Sequence, residues 1–158
     1  MFRVLFVCTG NTCRSPMAAA LFTAELGPEA GAIEVASGGT SALDGQPASE
    51  GSRAVAAGDG IDLSAHRARR LTAERVRAAD LVFVMEPAHR AAVLALGAAG
   101  ERVHLLSDWP QPGEPDLPVS DPFGASREAY EECWRRIRHH VRRIVPHVRR
   151  EARARSTP

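Results

Sequence analysis

Two cysteines, an arginine and a serine stand together near the start of the chain, in Cys8-Thr9-Gly10-Asn11-Thr12-Cys13-Arg14-Ser15. A cysteine attacks as its thiolate, a form that helix N-termini and neighbouring cations favour. This octet offers both. Val4-Leu5-Phe6-Val7 ahead of it reads as a short buried strand, and Pro16 behind it opens a helical stretch. The loop therefore lies at a helix N-terminus, with Cys8 at the end of the strand. Backbone N–H groups from Thr9 to Arg14 can turn inward as an anion nest. Gly10 can take the positive φ such a loop requires, and Asn11 tolerates the same region while its amide braces the loop. Arg14 can give an oxyanion two parallel hydrogen bonds, and Ser15 can donate its hydroxyl to the sulfur. These residue types support binding a tetrahedral oxyanion, phosphate among them, and attacking it with sulfur. Taken singly, Cys8 and Cys13 would be small buried hydrophobes and Arg14 a surface charge. The complete octet at a strand-to-helix junction is what favours the chemical reading.

An acid partner is less defined. Residues 108–123 contain five prolines, a long connection of the kind that carries function. Asp108, Asp116 and Asp121 all lie in it, and Asp-Pro is also a common turn starter. On spacing alone the three are alternatives. His66 reads as a lone polar histidine. His89, His104, His139, His140 and His147 show no metal-ligand spacing with a cysteine or acid and read as exposed or helix-face residues. Cys13, five residues after Cys8 in a curled loop, is either within disulfide reach of it or a small packing thiol. Cys133 falls on the apolar face of the last helix.

The elements that must hold these residues alternate. Strands are expected at Phe2 to Val7, Ile33 to Ala36, Leu81 to Met85 and Val103 to Leu106. Helices are expected at Met17 to Leu26, Ser49 to Ala57, Thr72 (as cap) to Ala78, Pro87 to Leu96, and from Ser126 onward. In the last, Tyr130, Cys133, Trp134, Ile137, Val141, Ile144, Val145 and Val148 recur at helical spacing. Pro146 should kink or interrupt it. Alternation of this kind predicts an α/β fold with a parallel sheet, in which ligands bind beyond the carboxyl ends of strands.

At 158 residues the chain is expected to be one domain, residues 1–148, with a disordered tail at 149–158. A net charge of +1 gives no reason to expect nucleic acid or membrane as partner. No apolar run could span a bilayer and no signal peptide precedes the first strand, which predicts a cytoplasmic protein. All 20 basic residues are arginine. A chain without lysine has no Schiff-base lysine and no Walker A loop.

Residues 4–18, Val-Leu-Phe-Val-Cys-Thr-Gly-Asn-Thr-Cys-Arg-Ser-Pro-Met-Ala, resemble the phosphate loop of the low-molecular-weight protein tyrosine phosphatases. Ala36-Ser37-Gly38-Gly39, the segment from Gly60 to Arg69, Ala79 to Met85, and Asp121-Pro122-Phe123 resemble further segments of that family in order. The resemblance implies a four-stranded parallel sheet with helices on both faces, the phosphate loop between first strand and first helix, and no cofactor or metal. It implies a phosphorylated protein as substrate, Cys8 as nucleophile, and Arg14 with the loop amides of Thr9, Gly10, Asn11, Thr12 and Cys13 as the oxyanion cradle. It singles out Asp121 as general acid, with Asn11, Ser15, Ser37 and His66 as loop supports and Cys13 as a redox partner protecting Cys8. Thr12, where tyrosine-directed members commonly carry Ile, and Phe123 are the specificity positions. Thr12 and Asp-Pro-Phe-Gly also resemble the protein arginine phosphatase branch, so phosphoarginine is preferred here over phosphotyrosine. Two alternatives stand beside this reading: a thioredoxin-coupled arsenate reductase, which needs two further cysteines where only Cys133 remains, and a non-catalytic oxyanion-binding module.

Overall fold

Strand β1, Phe2–Cys8, is apolar almost throughout because both of its faces are covered. In the computed structural model, which describes residues 1–157 apart from the Glu29 side chain, Phe2, Val4, Phe6 and Cys8 join one buried cluster. Leu5 and Val7 join another on the opposite side, as the two-residue period of a strand requires. Strand β3, Leu81–Val84, repeats the division: Leu81 and Phe83 face one way, Val82 and Val84 the other. With β2, Ile33–Gly39, and β4, Val103–Leu105, they form one parallel sheet in the order β2-β1-β3-β4. Cys8 pairs with Gly39, and Val7 with Val84, so the carboxyl ends of three strands meet on one rim.

Among the described residues five α-helices cover the sheet. Helices α1, Arg14–Leu26, α2, Glu50–Gly58, and α5, Arg127–Ser156, place Met17, Phe22, Val55, Ile137 and Ile144 in the first cluster. Helices α3, Ala73–Ala78, and α4, Pro87–Ala95, bring Val76 and Val93 to the second. Ser49, Thr72 and Ser126 cap α2, α3 and α5, each accepting a backbone N–H three residues on. Among the described residues no helix is long and apolar enough to cross a membrane.

Three boundaries differ from the sequence expectation. Helix α1 starts at Arg14, not Met17, because the turn after Cys8 feeds directly into it. Strand β2 runs on to Gly39, paired with β1 to its last residue. Helix α5 passes through Pro146 and continues to Ser156, where a disordered tail from 149 was expected. Ala152 is buried one turn after Val148, Arg149 donates to the carbonyls of Glu25 and Leu26, and Arg155 lies over the Phe2 ring and pairs with Asp80. These contacts give the last turns a docking surface. Pro158 lies outside the described residues.

The long connection between β4 and α5 is strapped to α5 by two arginines. Arg143 donates to the carbonyls of Leu106, Ser107, Trp109 and Gln111. Arg136 donates to those of Leu117 and Pro118. Residues from Val119 to Ser126 then lead across the rim above Cys8.

Candidate active site

The loop between β1 and α1 is shaped from outside by its neighbours. Strand β2 approaches it closely: Thr40 and Ser41 donate their N–H groups to the carbonyls of Cys8 and Thr9, at 3.0 and 2.9 Å. A side chain at Gly39 would meet the Thr9 carbonyl at 2.5 Å and the Asn11 nitrogen at 3.0 Å, so glycine is required there. From α2's start, Ser49 N–H holds the Thr12 carbonyl at 2.9 Å. The loop's own carbonyls are thus turned outward. Among the described residues no protein acceptor takes the N–H groups of Gly10 to Cys13, as an anion nest requires.

The positive φ belongs to Asn11, at 54°, and not to Gly10, which correct the expectation for that pair. Asn11 is held there by its side chain. Arg69 N–H donates to its Oδ1 at 2.9 Å, which fixes the amide orientation. Its Nδ2 therefore donates to Ser15 Oγ at 2.7 Å and to Ser37 Oγ at 2.9 Å. Ser15 Oγ, which accepts from Asn11, lies 2.9 Å from Cys8 Sγ and 3.5 Å from the Gly38 carbonyl. A chain of side-chain contacts thus runs from the Arg69 backbone through Asn11 and Ser15 to the sulfur. His66 donates from Nε2 to the Asn11 carbonyl at 2.7 Å, and burial holds its ring below the ordinary histidine range against the pull of that bond.

Arg14 is 2% exposed. Its NH1 group pairs with Glu86 Oε1 at 3.2 Å and donates to the Val119 carbonyl at 2.9 Å, and its NH2 lies 3.5 Å from Thr9 Oγ1. Its Nε, fully buried, has no acceptor among the described residues. Asp121 Oδ2 lies 3.7 Å from Arg14 NH2, and Oδ1 accepts from Phe123 N–H in a tight turn. Cys8, Thr9, Gly10, Thr12, Cys13, Arg14 and Asp121 line one pocket, with Ser41, Leu43, Gln46 and Phe123 as its outer wall. Asp121 lines it, whereas Asp108 and Asp116 do not.

All three cysteines are free thiols. Cys13 Sγ contacts Ser49 Oγ at 3.2 Å and Tyr130 OH at 3.4 Å. Burial and the Cys13 contact push the Tyr130 hydroxyl up to about 12, so it stays protonated. Among the described residues no group of three or more His, Cys, Asp or Glu side chains could hold a metal ion.

The sequence expectation fails for two histidines. His140, expected on an exposed or helix face, is fully buried in α5. His89 is 3% exposed and belongs to the site: its ring reaches Thr9 of the loop. Glu86, also unassigned from sequence, carries the Arg14 ion pair. The available signal was Glu86-Pro87-Ala88-His89, a helix start at the carboxyl end of a buried strand, where parallel sheets place their ligands.

Residues 3–154 match the family described as low molecular weight phosphotyrosine protein phosphatase. A low molecular weight protein-tyrosine-phosphatase of Streptomyces coelicolor is 37% identical over 140 residues, covering 84% of this chain and 84% of that protein. A protein-arginine-phosphatase of Geobacillus stearothermophilus is 37% identical over 130 residues, 82% of this chain and 84% of the relative. Among solved structures, the YwlE arginine phosphatase from Geobacillus stearothermophilus superposes with a TM-score of 0.83 at 31% identity, covering 96% of this chain and 95% of the other.

Proposed function

Because the chain belongs to the low molecular weight phosphotyrosine protein phosphatase family and is a cysteine-dependent protein phosphatase, we propose that Cys8 is its nucleophile, Asp121 its general acid and a phosphorylated arginine its preferred substrate. The substrate's phosphoryl group sits in the nest of residues 9–14. Cys8 sulfur attacks phosphorus in line, the bond to the side chain breaks, and Asp121 delivers a proton to the departing atom. The phosphocysteine is then hydrolysed by water, with the Asp121 carboxylate taking the water's proton. Inorganic phosphate leaves and the thiolate is regenerated. Arg14 and the inward amides hold the equatorial oxygens throughout.

The observation carrying the site is the buried Nε of Arg14, without an acceptor among the described residues, beside four unengaged main-chain N–H groups in the loop that follows Cys8. The substrate preference rests on the walls. Thr12, Ser41 and Gln46 bring polar groups to the wall beside the apolar Leu43, and among the described residues Phe123 is the one ring lining the pocket, 68% exposed at its rim. A slot for a phosphotyrosine ring needs apolar walls; a guanidino group is satisfied by hydroxyl, amide and carboxylate partners. Cys13 serves here as the redox partner, with the resting thiol parked on Ser49 and Tyr130. Cys133 does not fit the relay of an arsenate reductase: it is 5% exposed, and burial pushes its thiol up to about 12. A protein with such a nucleophile works in a reducing compartment, which supports the cytoplasm.

The test is turnover of phosphoarginine and phosphotyrosine peptides side by side, in wild type and Thr12→Ile. Phosphoarginine should be preferred by wild type, with the preference shifted toward phosphotyrosine by roughly tenfold or more in the variant. Turnover of phosphotyrosine alone, or a variant without effect, overturns the substrate assignment. No steady phosphate release from any aryl phosphate leaves a binding module.

A further inference from the structure

We propose that His89 is a positioning residue for the reaction, holding the Thr9 hydroxyl, and through it the Arg14 guanidinium, in the geometry the phosphoryl group requires. The inference rests on the phosphatase reading above.

The ring's two nitrogens have separate tasks. Nδ1 lies 3.1 Å from the backbone N–H of Glu86, an obligatory donor, so Nδ1 is the acceptor. The proton of the neutral ring is therefore on Nε2, which lies 2.9 Å from Thr9 Oγ1 and donates to it. Through Nδ1 the ring closes a reciprocal capping box at the start of α4, in which the Glu86 side chain accepts from the His89 N–H. Through Nε2 it reaches across to a phosphate-loop residue 80 positions away in sequence. Thr9 Oγ1 in turn accepts from Arg14 NH2, and the Glu86 carboxylate takes Arg14 NH1. One helix start thus grips the guanidinium on two sides, by a carboxylate directly and by an imidazole through a hydroxyl. Burial and the nearby Arg14 charge hold the ring below the ordinary histidine range, against the carboxylates of Glu86 and Asp121. This keeps the neutral form, whose Nδ1 can accept from the Glu86 N–H.

The ring is not itself part of the pocket lining, so its effect on chemistry passes through the residues it holds, Thr9 on the pocket side and Glu86 on the helix side. Two substitutions separate its tasks. The Asn side chain can place an oxygen where Nδ1 stands and keep the α4 cap. The Gln side chain can place an N–H where Nε2 stands and keep the Thr9 bond. On an aryl phosphate, His89→Asn should lower kcat roughly tenfold with little change in KM, while its unfolding midpoint stays close to wild type. His89→Gln should restore most of that kcat while unfolding earlier. Thr9→Val should show the kcat loss of His89→Asn, and the double variant should lose no more than either single change. Vanadate inhibition should weaken with kcat in His89→Asn, and inorganic phosphate inhibition much less, because the alignment matters most as charge spreads over the equatorial oxygens. The proposal is overturned if His89→Asn keeps wild-type kcat, if the Asn and Gln variants lose activity only in proportion to their stability, or if the Thr9 and His89 effects multiply. A failure of the phosphatase reading looks different, since wild type itself would then release no phosphate.

Discussion

Asn11 has one short side chain and three partners, Arg69, Ser15 and Ser37, and its carbonyl takes a fourth bond from His66. Removing the amide with Asn11→Ala frees Ser15 to turn away from the sulfur and leaves an alanine at φ 54°, a strain of about 1 kcal/mol. We expect kcat on an aryl phosphate to fall ~100-fold, a loss of the order seen when a transition-state donor is removed, as steady-state kinetics will show. Ser15→Ala removes only the last link, so its loss should be nearer tenfold. An unchanged kcat in Ser15→Ala would mean that the 2.9 Å contact with Cys8 is idle. At this scale the sequence was legible wherever residues lie close along the chain. Cys8, Arg14 and Ser15 share one loop, so their spacing alone reports their geometry. His89 and Glu86 enter the site through the fold, and nothing in a lone Glu-x-x-His announces a partner 80 residues upstream. The choice between Gly10 and Asn11 for the left-handed position was also hidden. Glycine is the better candidate on conformational grounds, and only the partners of the Asn11 amide reverse it.

The site is built from element ends: the carboxyl ends of β1, β2 and β3, and the starts of α1, α2 and α4. Their close approach makes small residues decisive. A methyl group at Gly39 would press the Thr9 carbonyl at 2.5 Å, and neither backbone can yield without moving the loop. Gly39→Ala should therefore lower both stability, by roughly 1–3 kcal/mol as overpacking does, and kcat, measured by denaturant unfolding and turnover on the same sample. Full activity in that variant would show that the nest tolerates displacement. Strands were readable because parallel strands covered on both faces leave unbroken apolar runs, as in Val4 to Val7 and Leu81 to Val84. The end of α5 was not. Its last turns hold arginines at 149, 150, 153 and 155, which read as solvated, and a single buried alanine, Ala152, is a faint signal for docking.

Across the whole molecule, the histidines make stability depend on pH. His140 is fully buried, and burial, with Arg143, His139 and Arg136 nearby, pushes its ring down to about 4. In the unfolded chain it titrates near ~6.5. The unfolded state therefore binds more protons between these values, and stability falls as pH drops from about 6.5 toward 4, by up to about 3 kcal/mol from this residue. His66, His89 and His104, also held low by burial, act in the same direction. Urea unfolding at pH 7 and pH 4.5 should show the loss, and His140→Leu, which removes a ring whose Nε2 has no partner among the described residues, should reduce it. An equal loss in that variant would place the acid sensitivity elsewhere. The two arginine straps have a separate consequence. With its backbone riveted to α5 at Arg143 and again at Arg136, the proline-rich span leaves only a short arm between Val119, bonded to Met85 and Arg14, and the Ser126 cap. Asp121, the proposed proton donor, sits within this arm, tethered on either side. Fixed at both ends, the arm confines the Asp121 carboxylate to a small region at the mouth of the Cys8 pocket.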